Sequence, residues 1–461
     1  MRLQIAAAVG RPGEPVLRER LHEADALARF YAGRSYQPAW LQPDGTASAS
    51  ARMLLTSVEE AGRHGLDPAA YHAGVLARIE GASAIGVAPI AELDLLLSDA
   101  FLHLARHLSS GAVDPRSLHL RYERVGGTPP DVSEALATAL ATGGIRETLE
   151  LLAPPHPEYG ALVRALERLR VAAGAGDAAA AASADSVRAN LERWRWLPRD
   201  LGRRHLRVNT PAFTLEAFDA GEPVLAMRVV VGEVDWKTPL AHGVISHLVL
   251  NPAWQVPRSI ATREMLPAAQ RDPGYFAAAG IQLLVDGDGE AREVDPASID
   301  WQVVTAARFP FRLRQPPGPR NPLGRIKFVF ANPYSVYLHG TPAAGAFERP
   351  LRALSHGCVR VEGEIALAGF ALAPDPAWSR ERLVESLRGA SEQRLALPLP
   401  LPVHLLYFTA SADAEGTASF TGDPYGWDRA LVDALDGLRP LAAWSRAAAA
   451  HARVDSPGPR R

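Results

Sequence analysis

Cys358 is the one cysteine among 461 residues, and its neighbours are the residues whose types could do chemistry. It sits in Ser355-His356-Gly357-Cys358-Val359-Arg360, thirteen residues after Tyr337-Leu338-His339-Gly340-Thr341. A thiolate attacks acyl carbons well, but an ordinary thiol, with a pKa of about 8.5, is mostly protonated at neutral pH. An imidazole must take the proton, and a third group must fix which ring nitrogen is free to do so. His339 and His356 are both near enough in sequence to be that base. Gly357 lacks a Cβ, so backbone N–H groups can approach an acyl oxygen and form an oxyanion hole. A lone cysteine between Gly and Val is also a common small apolar packing residue. Spacing alone leaves both readings open.

The elements that must position these residues change character along the chain. From about Leu17 to Arg170 apolar residues recur every three or four positions, as at Leu17, Leu21, Ala24, Leu27 and Phe30, which predicts helices. Further helical stretches are expected at Ala51 to Ala61, Pro89 to Leu108, Val132 to Ala141 and Tyr159 to Val171. Residues 172–184 read AAGAGDAAAAASA, with nothing to build a core, and predict a linker over 172–185 or a poorly ordered helix. Beyond it come short β-branched or aromatic runs: Leu206 to Asn209, Val224 to Val231, Val244 to Leu250, Ile281 to Val285, Ile326 to Phe330, Ser335 to His339 and Val403 to Thr409. The expected fold class is α+β and multidomain. A helical domain spans 17–171 and a strand-rich domain 186–440, and 451–461 form a disordered tail.

Composition excludes several functions. One cysteine permits no intramolecular disulfide, no multi-cysteine metal site and no CxxC redox pair. The formal net charge of −2 argues against a nucleic-acid-binding surface. Only Lys237 and Lys327 are lysines, and neither follows the glycine spacing of a phosphate-binding loop. His103 and His107, four apart, have metal-site spacing but no accompanying ligand, which predicts a solvated helix face. The first apolar run, Ile5 to Val9, is too short for a secretory signal or a membrane span. That predicts either a cytoplasmic protein or a sequence beginning downstream of its signal.

The Ser355–Arg360 block preceded by His339-Gly340-Thr341 resembles the signature of L,D-transpeptidases with a YkuD-type catalytic domain. Asn321-Pro322-Leu323-Gly324-Arg325-Ile326-Lys327-Phe328 is similar to the strand before the catalytic histidine in their large, YcbB-like members. Asn190 to Pro198 (NLERWRWLP) is similar to their lead into the catalytic domain. Asn251 to Ile260 (NPAWQVPRSI) resembles the start of their substrate-capping lid, placed here at about 250–305. Phe30-Tyr31 with Pro38-Ala39-Trp40, then Gly65-Leu66-Asp67-Pro68, resembles their helical scaffold domain. Pro402 to Tyr407 and Asp423 to Gly426 also match, so the resemblance runs from about residue 20 to about residue 435. Two departures stand out. The small peptidoglycan-binding domain usual between the scaffold and catalytic parts has only the alanine-rich stretch in its place. Arg360 stands where many smaller members have Asn.

The resemblance implies that Cys358 is the nucleophile and His339 its general base. The Gly340 backbone carbonyl would orient the imidazole, and the Gly357 and Cys358 backbone N–H groups would form the oxyanion hole. Ser355, His356, Arg360, Tyr337 and Trp254 would line the substrate site, Arg360 lowering the thiol pKa or gripping a carboxylate. No cofactor and no metal are implied. The implied reaction is 3→3 peptidoglycan cross-linking: a tetrapeptide stem donates its acyl group to the cysteine with release of D-Ala, and the diamino acid of a second stem accepts it. Peptidoglycan stem peptides would be the partners, carbapenem-type inhibitors would acylate Cys358, and no nucleic acid or transmembrane segment is expected. The substrate implies a periplasmic location. The alternatives are a cysteine carboxypeptidase or endopeptidase that hydrolyses wall peptides, and a catalytically silent wall scaffold.

Overall fold

Alanine and leucine, both strong helix formers, dominate the first two hundred residues. The computed structural model describes residues 2–10, 19–42, 46–76, 87–118, 120–123, 130–286, 291–389 and 391–437. These divide into two compact units, one from the described residues up to Asp200 together with those from Tyr407, the other from Leu201–Leu406. The tail expected at 451–461 lies outside the described residues.

The principal helices of the first unit are α1 (Arg2–Val9), α2 (Ala24–Gly33), α3 (Ala49–Glu59), α4 (Val87–Ser110), α5 (Val132–Thr142), α6 (Ile145–Leu152), α7 (Pro157–Gly174) and α8 (Ala178–Arg195). Buried residues lie all round α4: Leu95, Leu96, Leu97, Ala100, Phe101 and Leu102 are inaccessible, as expected of a central helix. Two buried aspartates on α4 act as staples for turns that precede α3 in the chain. Asp94 accepts backbone N–H bonds from Ala39, Trp40 and Leu41 and a 2.7 Å bond from the Tyr31 hydroxyl. Asp99 accepts from the backbone of His22 and Glu23 at 2.8–3.0 Å. Each buried carboxylate is thus satisfied, which makes it structural and not a liability.

The alanine-rich stretch is not a linker. It contains the end of α7, a tight turn, and the first two turns of α8, because alanine is the best helix former and Asp177 supplies the missing cap. The Asp177 carboxylate accepts from the backbone N–H groups of Ala179 and Ala180 at 2.9 and 3.0 Å. Ala180 and Ala184 are buried, so their small side chains make close packing and not slack. The second half of α8 carries Asn190, Glu192, Arg193 and Arg195, all buried, within the helical unit. Glu192 pairs with Arg195 at 2.6 Å and accepts the Val113 N–H at 2.8 Å. Asn190 donates to Thr409, and Arg193 pairs with Asp428 at 2.6 Å on the helix Trp427–Leu435. The strand-rich domain expected at 186–440 therefore contracts to 201–406.

His103 and His107 do not form a solvated face either. His107 Nδ1 lies 2.9 Å from the Tyr71 hydroxyl, and burial holds its pKa well below the usual histidine value. His103 Nδ1 lies 3.3 Å from Glu23 Oε1, which also accepts from Arg106 at 2.6 Å.

The second unit is built on strands β1 (Arg204–Asn209), β2 (Thr214–Asp219), β3 (Glu222–Gly232), β4 (Leu240–Leu250), β5 (Trp254–Gln255), β6 (Gln282–Asp286), β7 (Ala291–Val294), β8 (Arg312–Gln315), β9 (Ile326–Phe330), β10 (Leu338–His339), β11 (Ala353–Ser355), β12 (Val359–Val361) and β13 (Gln393–Leu406). Within this unit the order is β4-β9-β10-β12-β3-β2-β1-β13, and β13 pairs back onto β4, so the sheet closes on itself. β10 runs parallel to β12, and β13 parallel to β1. The closed sheet encloses Leu206, Val229, Val231, Phe328, Leu338, Val359 and Leu405, with α9 (Glu364–Leu372) and α10 (Arg380–Ser386) contributing Leu367, Leu372 and Leu383. The proline-rich run 396–403 belongs to β13, where the register slips between Ala396 and Leu401, the irregularity proline demands in a paired strand.

Between β4 and β9 the chain makes an insert with its own sheet, in the order β5-β8-β6-β7. Its separate apolar core includes Ile260, Phe276, Leu283, Trp301 and Leu313. The insert thus runs past the expected end near residue 305 to β8, because Leu313 supplies part of its core.

Candidate active site

Strand pairing across β9, β10 and β12 sets the site. Phe328 pairs with Leu338 and Leu338 with Val359, and all three face the closed core. Side chains alternate along a strand, so the next register row, Lys327, His339 and Arg360, lies side by side on the opposite face. Tyr337 and Cys358 share that face by the same alternation. The Tyr337 and His339 rings are 5.6 Å apart, and the Lys327 ammonium lies 3.7 Å from the Tyr337 ring centre. Both the backbone and the side chain of Tyr337 hydrogen-bond to the Cys358 sulfur.

His339 is buried, with Nδ1 2.6 Å from the Gly340 carbonyl oxygen. A carbonyl only accepts, so Nδ1 carries the proton and Nε2 keeps its lone pair. Burial pulls the pKa of His339 down to about 3, and the charges of Arg360 and Lys327 add to the effect, so the ring is neutral at physiological pH. Burial pushes the half-buried Cys358 thiol above its ordinary value. The Tyr337 hydrogen bonds and the charges of Lys327 and Arg360 pull it partly back. Burial also lowers the Arg360 pKa, while the Cys358 charge opposes that shift.

The turn that delivers the cysteine is held by side chains. Ser355 Oγ donates to the Cys358 carbonyl at 2.6 Å and accepts the Gly357 N–H at 3.1 Å. Thr238 Oγ1 donates to the Gly357 carbonyl at 3.0 Å and accepts the Gly232 N–H at 2.9 Å. Gly357 has φ +103°, a conformation that a side chain would strain. Two expectations change here. The Gly357 N–H is engaged inside the turn and is not offered to an acyl oxygen. The Ser355 hydroxyl is likewise used in building the turn and not in lining a groove.

His356 turns toward the insert. Its Nε2 lies 2.5 Å from Glu264 Oε1, and its ring meets Trp236 edge-on at 5.3 Å. Glu264 is carried on a π-helical turn, Ala261–Met265, a local widening often found at functional places. Trp254 does not join the cluster: it pairs with Gln315 across β5 and β8 and packs on the insert's own core.

Two residues near the histidine were not among the expected site residues. Lys327 is one of two lysines in an arginine-rich chain, and its place in the alternation Ile326-Lys327-Phe328 was the available clue. Glu364 lies beneath Gly340, where a Cβ on residue 340 would overlap its carboxyl group. Its Oε1 accepts the Arg325 N–H at 3.2 Å, and burial pushes its pKa up to about 7. Glu364 thus packs on the peptide whose carbonyl faces His339.

Comparison with known proteins agrees with this architecture. The model of the scaffold domain matches residues 25–166, and that of the YkuD L,D-transpeptidase catalytic domain matches residues 203–378. A Haemophilus influenzae protein, provisionally named as an L,D-transpeptidase, is 30% identical over 418 residues, covering 88% of this chain and 78% of that one. An L,D-transpeptidase from Mycobacterium smegmatis aligns at 11% identity over 44% of this chain and 58% of that chain. Its TM-score of 0.22 is too low to carry an argument. Among the described residues no helix is long and apolar enough to cross a membrane. With a scaffold domain ahead of a YkuD catalytic domain, and a relative alike over most of both chains, this protein belongs to the L,D-transpeptidase family.

Proposed function

We propose that the protein forms 3→3 peptidoglycan cross-links through a thioester on Cys358. Cys358 attacks the carbonyl between the third residue of a tetrapeptide stem, a diamino acid, and its terminal D-Ala, while His339 Nε2 takes the thiol proton. The Gly340 carbonyl keeps Nδ1–H in place and steadies the imidazolium that forms, the role a carboxylate has in a serine triad. As the tetrahedral intermediate collapses, the imidazolium gives its proton to the departing D-Ala amine. The side-chain amine of a second stem then attacks the thioester, and its proton returns through His339 to the thiolate. With the Gly357 N–H used in the turn, the Cys358 N–H is the donor for the developing oxyanion. Lys327 and Arg360 supply positive charge beside the sulfur, steadying the thiolate or receiving a stem carboxylate.

The observation that carries this reading is the neutral His339, fixed in one tautomer, on the same sheet face as Cys358. Incubation with purified tetrapeptide stems, followed by mass spectrometry, is expected to give dimers lighter by one D-Ala, and none with Cys358→Ser. Trimmed tripeptide monomers without dimers would reject cross-linking in favour of hydrolysis. A carbapenem adduct is expected on Cys358, which would be absent if the protein were a silent scaffold. A wall substrate puts the working enzyme in the periplasm.

A further inference from the structure

Four histidines gather in the helical unit, and none of them has a part in the proposed reaction. The rings of His22 and His103 stack at 4.3 Å, His103 and His107 lie 4.0 Å apart, and His22 and His72 5.5 Å apart. His72 and Asp99 are buried, and His22 is exposed. One ligand atom each from His22, His72 and Asp99 falls within 4.8 Å of the others.

We propose that His22, His72 and Asp99 bind a divalent transition-metal ion, with zinc as the ion the donors fit best. Two imidazole nitrogens and one carboxylate oxygen are a set zinc takes readily, and solvent can complete a four-coordinate site from the exposed His22 side. Metal-binding groups need partners that aim them, and each donor has one. His72 Nε2 lies 2.8 Å from Asp99 Oδ2, while the other ring nitrogen, Nδ1, lies 3.4 Å from Glu19 Oε2. A carboxylate on the far nitrogen is the arrangement that fixes the tautomer of a metal-bound histidine. Asp99 is held by the backbone N–H groups of His22 and Glu23. The His22 ring is held by its stacking on His103. A purely structural hydrogen bond would need only His72 and Asp99. Asp99 holds the His22 backbone, and the His22 ring then adds the third donor atom that a metal site needs. A bound ion would tie the segment at residues 19–23 to α4, which bears Asp99, and serve the scaffold, not the reaction.

The test uses the full-length, tag-free protein, stripped with chelator and titrated with Co²⁺ alone, then with Zn²⁺ in competition. One equivalent of Co²⁺ is expected to give the intense visible bands of a four-coordinate ion, displaced by Zn²⁺, with a rise in Tm. His22→Ala removes an exposed ring and should keep the circular dichroism spectrum while losing the bands. Glu19→Gln keeps all three ligands and is expected to weaken binding by about 10–100-fold. No saturable Co²⁺ binding by the parent, or equal binding by His22→Ala, would overturn the assignment whatever the fate of the cross-linking reading.

Discussion

At Cys358 and His339, burial acts on both partners in the same sense, toward the uncharged form. The thiol is pushed up, and the imidazolium is pushed down to about 3. Both groups therefore rest uncharged, as thiol and imidazole, and in the proposed reaction the proton would move only as an acyl carbon is attacked. Alkylation of Cys358 by iodoacetamide should then rise about tenfold per pH unit from about pH 6 to about pH 8, following the thiolate fraction. Protonation of His339 should add no acid limb in that range. A rate that stays flat down to about pH 5 would mean a preformed ion pair and would reject this account.

Glu364 gives a second test at this scale. Its carboxyl has a pKa of about 7 in the fold against an ordinary glutamate value of 4.5. A raised carboxyl pKa means that the folded state binds a proton the unfolded state has already lost. Stability should fall as pH rises from the unfolded value to the folded one, and the full penalty stands above it. Glu364→Gln should accordingly be more stable than the parent at about pH 8, by on the order of 2 kcal/mol, with the difference vanishing below about pH 4.5. Thermal melts of both proteins across that range decide it; equal melts at every pH would reject the buried carboxyl. The contrast with Cys358 explains what sequence can reveal. Cys358, His339 and Gly340 lie in short contiguous motifs, and the His339–Gly340 contact is made between neighbours in the chain. Lys327 and Glu364 reach the same place only through strand pairing and through α9 packing beneath it, and neither is written in local spacing.

At the scale of elements, α8 is where expectation and fold diverge most. An alanine run with no core-building side chains reads as slack, yet alanine costs least to hold in a helix, and Asp177 starts one. The charged residues that follow are buried because they pair within α8 and with other parts of the helical unit. The Glu192–Arg195 pair is the sharpest case, with side chains 0% and 1% exposed. Removing one member of a buried pair strands the other charge, so Glu192→Ala should cost about 3–5 kcal/mol in urea unfolding. Replacing both Glu192 and Arg195 with apolar residues should cost clearly less, and a single variant within about 1 kcal/mol of the parent would contradict the pairing. The helices expected near 51–61, 89–108, 132–141 and 159–171 and the strands at 206–209, 224–231, 244–250 and 326–330 were legible from their periodicity, whereas α6, β2 and β12 are too short or too mixed in pattern to stand out. The expected strand from Ser335 was not: only Leu338–His339 pairs, and the residues before it form a turn held by the Asn332 side chain.

At the scale of the whole molecule, the chain leaves the helical unit at Asp200, builds the catalytic unit, and returns to the helical unit from Tyr407. The return segment supplies Thr409 and Asp428 to the α8 network, so ending the chain at residue 406 should injure the helical half first. Differential scanning calorimetry of that truncated chain is expected to show a lowered helical transition with the catalytic transition kept; the reverse would contradict this division. The two ends of the catalytic unit meet, because Leu406 pairs with Asn209 and His404 Nε2 lies 3.0 Å from the Leu201 carbonyl oxygen. A segment whose ends meet behaves as a cassette, and it imposes an order of events on a chain made from its N-terminus. The closed sheet can finish as soon as β13 emerges, whereas the helices made first must wait for the segment after β13 before α8 has all its partners. Cys358 would thus be in place before the helical unit is complete.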